Sequence, residues 1–163
     1  MRVFAIAVVW ALFVGCDYTV PLVTKPEIKI DKAALGVWER VKEDGEKERL
    51  LVLPLGRTEY LVSFPSATAD AMFARACLGK VGEERIVQLC WLGTVRGQLP
   101  TDRRVYQYAS FMVLGETLTV RMLNAEVVPK NVASTKELLR AIAEGMDQPD
   151  LFREPMRFQK VKD

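Results

Sequence analysis

Histidine is absent from the 163-residue chain. Without an imidazole there is no Ser-His-Asp or Cys-His nucleophilic catalysis and no His-ligated zinc or haem site. Neither sign of charge is in excess. With 23 basic against 21 acidic residues the net charge is +2, which offers nothing to nucleic acid or to an acidic polymer. No apolar run reaches the ~20 residues that a membrane-spanning helix requires. No spacing of residues points to a metal ion or another cofactor. There are only three cysteines, Cys16, Cys77 and Cys90. What remains is a chain that is 50% hydrophobic and 27% charged, the composition of one globular domain with a buried core.

The N-terminus opens with Met1-Arg2 and continues as an apolar or small run over residues 3–15. That length suits the hydrophobic region of a signal peptide, which spans about 7 to 15 residues. The run ends Leu12-Phe13-Val14-Gly15-Cys16 and resembles the lipobox of a bacterial lipoprotein signal. The resemblance implies that residues 1–15 are removed, that the Cys16 sulfur carries diacylglycerol, and that Cys16 becomes an acylated first residue. The partner it implies is a bacterial cell membrane, with the protein facing the periplasm or the exterior. Asp17 resembles the inner-membrane retention signal of enteric lipoproteins. Residues 16–33 contain Pro21 and Pro26 and no sustained period, so they are expected to be a lipidated N-terminus and an extended tether. The folded domain is expected over residues 34–163.

Within that domain, period-two alternation dominates. Asp44-Gly45 separates residues 37–41 from 48–53, and an Asp-Gly pair suits a two-residue hairpin turn. This turn sets Trp38 opposite Leu51. A Gly-first turn at Gly56-Arg57 then sets Leu51 opposite Val62 and Leu53 opposite Tyr60, so that Trp38, Leu51, Leu53, Tyr60, Val62 and Phe64 share a face. At Gly115-Glu116 the same rule pairs Val113 with Leu118, Phe111 with Val120 and Ala109 with Met122. Residues 72–80 and 85–92 form another hairpin, in which a four-residue turn over 80–83 sets Cys77 opposite Ile86 and Cys90 opposite Phe73. These two cysteines are then four positions out of register and remain free thiols. Ser134-Thr135-Lys136-Glu137 is a capping box. Leu138, Leu139, Ile142 and Met146 follow at helical spacing, with Gly145 as the stop. Residues 156–161 alternate again as a last strand.

The predicted fold is therefore mainly β: an antiparallel up-and-down meander of seven to eight strands with one α-helix before the last strand. It resembles the lipocalin-like, or calycin, barrels. Gly36-Val37-Trp38 matches the Gly-x-Trp that begins their first strand, and the resemblance implies that Trp38 closes one end of the barrel with Arg157 packed over it. Thr101-Asp102-Arg103 resembles the family's Thr-Asp-Tyr loop, with Arg103 in place of the aromatic. The alternative architecture is an open curved sheet with the helix across its concave face.

The paired acids Glu43-Asp44 and Glu83-Glu84 occupy predicted turns, where charge serves solubility rather than catalysis. The charges between Glu39 and Arg49 read as one solvated hairpin. Trp38, Tyr60, Phe64 and Trp91 are the candidate ligand-binding residues, set against a barrel simply filled by its side chains. The expected function is a non-catalytic, lipid-anchored binding or interaction module of the cell envelope, for a small apolar ligand or an envelope protein. The alternative is an inhibitor of, or accessory to, a cell-wall enzyme, touching it through residues 92–103. Carboxylate chemistry in the barrel mouth ranks last.

Overall fold

The computed structural model describes residues 17–162. The expected lipobox, with Cys16, lies outside them. Eight antiparallel strands follow one another around a closed barrel: β1 (Gly36–Val41), β2 (Lys47–Leu55), β3 (Glu59–Phe64), β4 (Met72–Val81), β5 (Glu84–Thr94), β6 (Tyr106–Leu114), β7 (Thr117–Met122) and β8 (Met156–Lys160). The helix α1 (Thr135–Gly145) precedes β8. Closure comes from Trp38 opposite Lys160 and Glu39 opposite Gln159, which rules out the open sheet. The helix packs outside the barrel, against β4, and not across a concave face.

The hairpin registers divide into one that agrees with the sequence reading and three that differ. Gly115, at φ +58°, makes the two-residue β6–β7 turn, and Val113–Leu118, Phe111–Val120 and Ala109–Met122 pair as expected. Between β1 and β2 the loop has three residues. Lys42 N bonds Glu46 O, and Gly45 closes the loop at φ +83°. Trp38 therefore faces Leu50, not Leu51. The β2–β3 loop is also one residue longer than expected, so Val52 faces Val62 and Leu53 faces Leu61. The two offsets add to two residues between β1 and β3, which keeps their inward faces, but they reverse β2. Leu50 and Val52 point into the barrel, while Leu53 is exposed on the outside. Between β4 and β5 the turn tightens to Gly82-Glu83, which sets Cys77 opposite Gln88 and Arg75 opposite Cys90. The two cysteines are thus two positions apart, and both are free thiols.

Ser134 caps α1 by accepting from Glu137 N, and the Glu137 carboxylate reaches back to Ala133 N at 2.9 Å. Gly145 is not a left-handed stop. A Cβ there would stand 2.8 Å from Leu151 Cδ1, so glycine is needed for close packing.

Two cores result. One fills the barrel interior around Trp38, Leu50, Tyr60, Leu78, Leu118 and Phe158. The other lies outside the sheet, where Tyr18, Leu22, Ile86, Tyr108, Val128, Leu138 and Ile142 join the N-terminal segment and α1 to the outer faces of β4, β5 and β6. Residues 17–33, the described part of the expected tether, are fastened to the barrel. Asp17 N and Tyr18 N donate to Tyr106 O, Leu22 N and Val23 N donate to Gln88 Oε1, and the Tyr18 hydroxyl donates to Val128 O. Gly79 lets this strap cross β4, since a Cβ there would lie 2.7 Å from Val23 Cγ2. The strap then passes beneath the barrel, where Ile30 N bonds Arg57 O, and ends in a 3-10 turn, Lys32–Ala34.

Following directly opposed residues around the barrel measures its stagger. The path from Arg49 through Glu39, Gln159 and Thr117 to Leu114, continued along the β5 and β4 registers, returns to β4 twelve residues beyond the point reached through β3. Eight strands closing with a stagger of about 8 give a core that side chains fill, as in TIM barrels. A larger stagger tilts the strands more and widens the interior.

Candidate functional site

The two ends of the barrel differ. At the closed end, the 3-10 turn lies under Trp38, whose indole is fully buried and donates from Nε1 to Ala34 O at 2.9 Å. Lys160 holds its ammonium 5.0 Å from the Trp38 ring centroid and bonds Leu35 O. This is the place the resemblance gave to Arg157, but Arg157 is opposite Thr119 and exposed. Alternation explains the exchange, because Lys160 shares the inward face of Phe158 and Arg157 does not. Tyr60 is also part of this floor. Its hydroxyl accepts from Asp31 N at 2.6 Å, and burial pushes its pKa up.

At the other end, each strand contributes one inward-facing residue close to its terminus: Arg40, Glu48, Phe64, Met72, Trp91, Gln107, Met122 and Met156. Their inward direction follows from the registers that align them with Trp38, Leu50, Val62, Leu89, Ala109 and Phe158. All eight are half-buried, whereas Trp38, Leu78, Leu118 and Phe158 below them are buried. The barrel is therefore packed shut at one end and partly accessible at the other. Two surface depressions, of about 480 and 500 Å³, flank α1 outside the barrel and contain none of these side chains.

Within the ring, Arg40 is the most constrained group. Its guanidinium bonds Glu48 through Nε at 2.7 Å and through a terminal nitrogen at 2.5 Å. It also stands 5.8 Å from the Phe64 ring centroid and 5.4 Å from that of Phe158, and these two rings meet edge to face at 6.0 Å. A planar cation held between aromatics and a carboxylate is fixed in direction. The three methionines are flexible and polarisable, so they can adapt to irregular apolar shapes.

Of the four candidate residues, Phe64 and Trp91 belong to the ring, while Trp38 and Tyr60 form the floor beneath it. Sequence reasoning missed Arg40 and Glu48. Arg40 lies two residues after Trp38 on one strand, so its inward direction was available. Glu48 was hidden by the one-residue offset, which turned its face outward. Among the described residues no group of three Cys, Asp or Glu is placed to hold a metal ion, and no helix is long and apolar enough to cross a membrane. No family model, curated protein or solved structure matches this chain.

Proposed function

We propose that this protein is a lipid-anchored bacterial envelope component of lipocalin-like design that binds a small, largely apolar molecule at the open end of its barrel. The reading rests on the ring of eight half-buried inward side chains, of which five are apolar and two form the Arg40–Glu48 pair. Small-molecule sites combine mostly apolar walls with a few fixed polar groups. The wide stagger, the 3-10 turn below Trp38 and the lysine stacked on it support the lipocalin-like assignment. The Gly15-Cys16 sequence supports the anchor.

The test is native mass spectrometry of the protein purified from membranes, paired with titration of a fluorescent apolar probe. The expected result is a retained small molecule or saturable probe binding, lost in Phe64→Arg, with Met72→Gln as a second variant at the rim because Phe64→Arg also gives up contacts with Phe158 and Arg40. Probe binding by the wild type that Phe64→Arg leaves unchanged would place the site elsewhere. No binding in either experiment would overturn the proposal.

A further inference from the structure

The strap fixes where an anchor at Cys16 would emerge. Asp17 N and Tyr18 N both donate to Tyr106 O, at 3.2 and 3.1 Å. Tyr106 opens β6, so Asp17, the first described residue, lies beside the start of β6 and the loop over residues 95–105 that leads into it. That loop carries Arg96, Arg103 and Arg104 and presents Val95 and Leu99 to solvent, at 54% and 74% exposure. Lys130 adds a fourth cation, bonded to Asp17 at 2.5 Å, and exposed Arg153 a fifth. The acids on this side are Asp17, paired with Lys130; Asp102, paired with Arg104; Asp70, paired with Arg96; Glu154 beside Arg153; and Glu126 between β7 and Lys130, while Glu43, Asp44 and Glu46 sit around Lys42 on the β1–β2 loop, across the mouth from residues 95–105. Arg103 is in no ion pair of the described residues.

We propose that this surface, centred on Arg103, Arg104 and Leu99, docks the barrel onto the anionic headgroups of the membrane that holds Cys16. The inference rests on the lipoprotein reading for its biological setting. Two observations favour a lipid surface over the enzyme contact expected for residues 92–103. The first is position: Asp17 and the loop meet at Tyr106, so an acyl chain on the residue before Asp17 would bring this loop to the bilayer with no spacer between them. The second is composition, since exposed apolar side chains among arginines match an interface that offers both acyl chains and anionic charge. The loop joins the strand ends that form the open mouth. Docking therefore holds the mouth at the bilayer surface, where an amphipathic ligand would enter.

The chain from residue 16 onward, with Cys16→Ser, keeps every residue of both cores, and cooperative thermal unfolding checks that it folds. That chain is sedimented with vesicles of phosphatidylcholine alone or with about one third phosphatidylglycerol. Expected is binding to the anionic vesicles only, weakened by salt. Arg103→Glu with Arg104→Glu should weaken it at least about tenfold, because each cation near an anionic surface contributes about fivefold. Arg57→Glu, at the closed end, is the charge control and should have a much smaller effect. Equal loss in Arg57→Glu, no loss in the Arg103/Arg104 variant, no preference for anionic vesicles, or capture of an envelope protein that excludes vesicles would each overturn docking. Intact mass of the membrane-extracted protein reports separately on Cys16, so an unlipidated chain that still binds anionic vesicles through Arg103 and Arg104 would count against the anchor and not against the patch.

Discussion

Trp38 is held by three separate forces: burial among Leu50 and Phe158, a hydrogen bond from its indole to Ala34 O, and the Lys160 ammonium over its face. Replacing a buried tryptophan with alanine costs about 3 to 5 kcal/mol, against a total of about 5 to 15 for a typical domain. Trp38→Ala should lower the urea midpoint by about a fifth or more, whereas Lys160→Met should cost about 1 kcal/mol. An unchanged midpoint for Trp38→Ala would contradict its burial. Cys77 supplies a second test at this scale. Its thiol is pushed up to about 11, first by burial and then by Glu59, and the thiolate is the reactive form. In the native protein near pH 8 half-buried Cys90 should be alkylated before buried Cys77, and both should react once the unreduced protein is denatured. Protection of both sites until reductant is added would reveal a disulfide. The sequence led to Trp38 through Gly36-x-Trp38, but not to Lys160, because the residue that covers Trp38 depends on the register in which β8 meets β1.

Among the elements, the strap is held mainly by long-range bonds. Gln88, on the outer face of β5, accepts from Leu22 N and Val23 N and donates to Val23 O. Thr135 donates to Pro21 O, and Tyr108 to Val20 O. Gln88→Leu would leave two strap amides and one carbonyl without partners, at about 1 to 3 kcal/mol for each group kept from water. Gly79→Val should displace the strap through direct overlap with Val23. Both variants should speed amide hydrogen exchange at Leu22 and Val23 while leaving exchange at Trp38 unchanged, and equal acceleration at both places would show that strap and barrel unfold as one unit. None of this was legible in residues 17–35, because an irregular segment fixed by single distant partners has no period. The strands were legible because alternation is local, and β6–β7 came out in register because Gly115 makes the shortest kind of turn. The β1–β2 and β2–β3 loops each hold one residue more than a two-residue turn. Glycine marked both places but does not specify loop length, and two equal offsets preserved the agreement between β1 and β3 while turning β2 inside out.

For the molecule as a whole, the two cores set a dependence on alkaline pH. Tyr18 and Tyr108 pack at 5.2 Å with their rings tilted by 56° in the outer core, where both are about 1% exposed. Burial, the largest cause for each, raises both phenols above their ordinary value of 10.0; nearby negative charge on Asp17 adds to this at Tyr18. Cys77 is raised from 9.0 in the same direction. A group whose folded pKa exceeds its unfolded value contributes its full stabilisation below the unfolded value and loses it as pH climbs toward the folded one. Here the unfolded chain releases protons from about pH 9 upward while the native state keeps them. Each such group lowers stability by up to about 1.4 kcal/mol per pH unit. Unfolding free energy should therefore be level to about pH 8.5 and fall between pH 9 and 11.5. In Tyr18→Phe the slope should be shallower by about one proton's worth, even though that variant loses the bond to Val128 O and starts from lower stability. Titration of both phenols in the native protein at their ordinary value, with stability flat to pH 11, would mean that the strap does not seal the outer core, and the fixed position of Asp17 beside residues 95–105 would be lost with it.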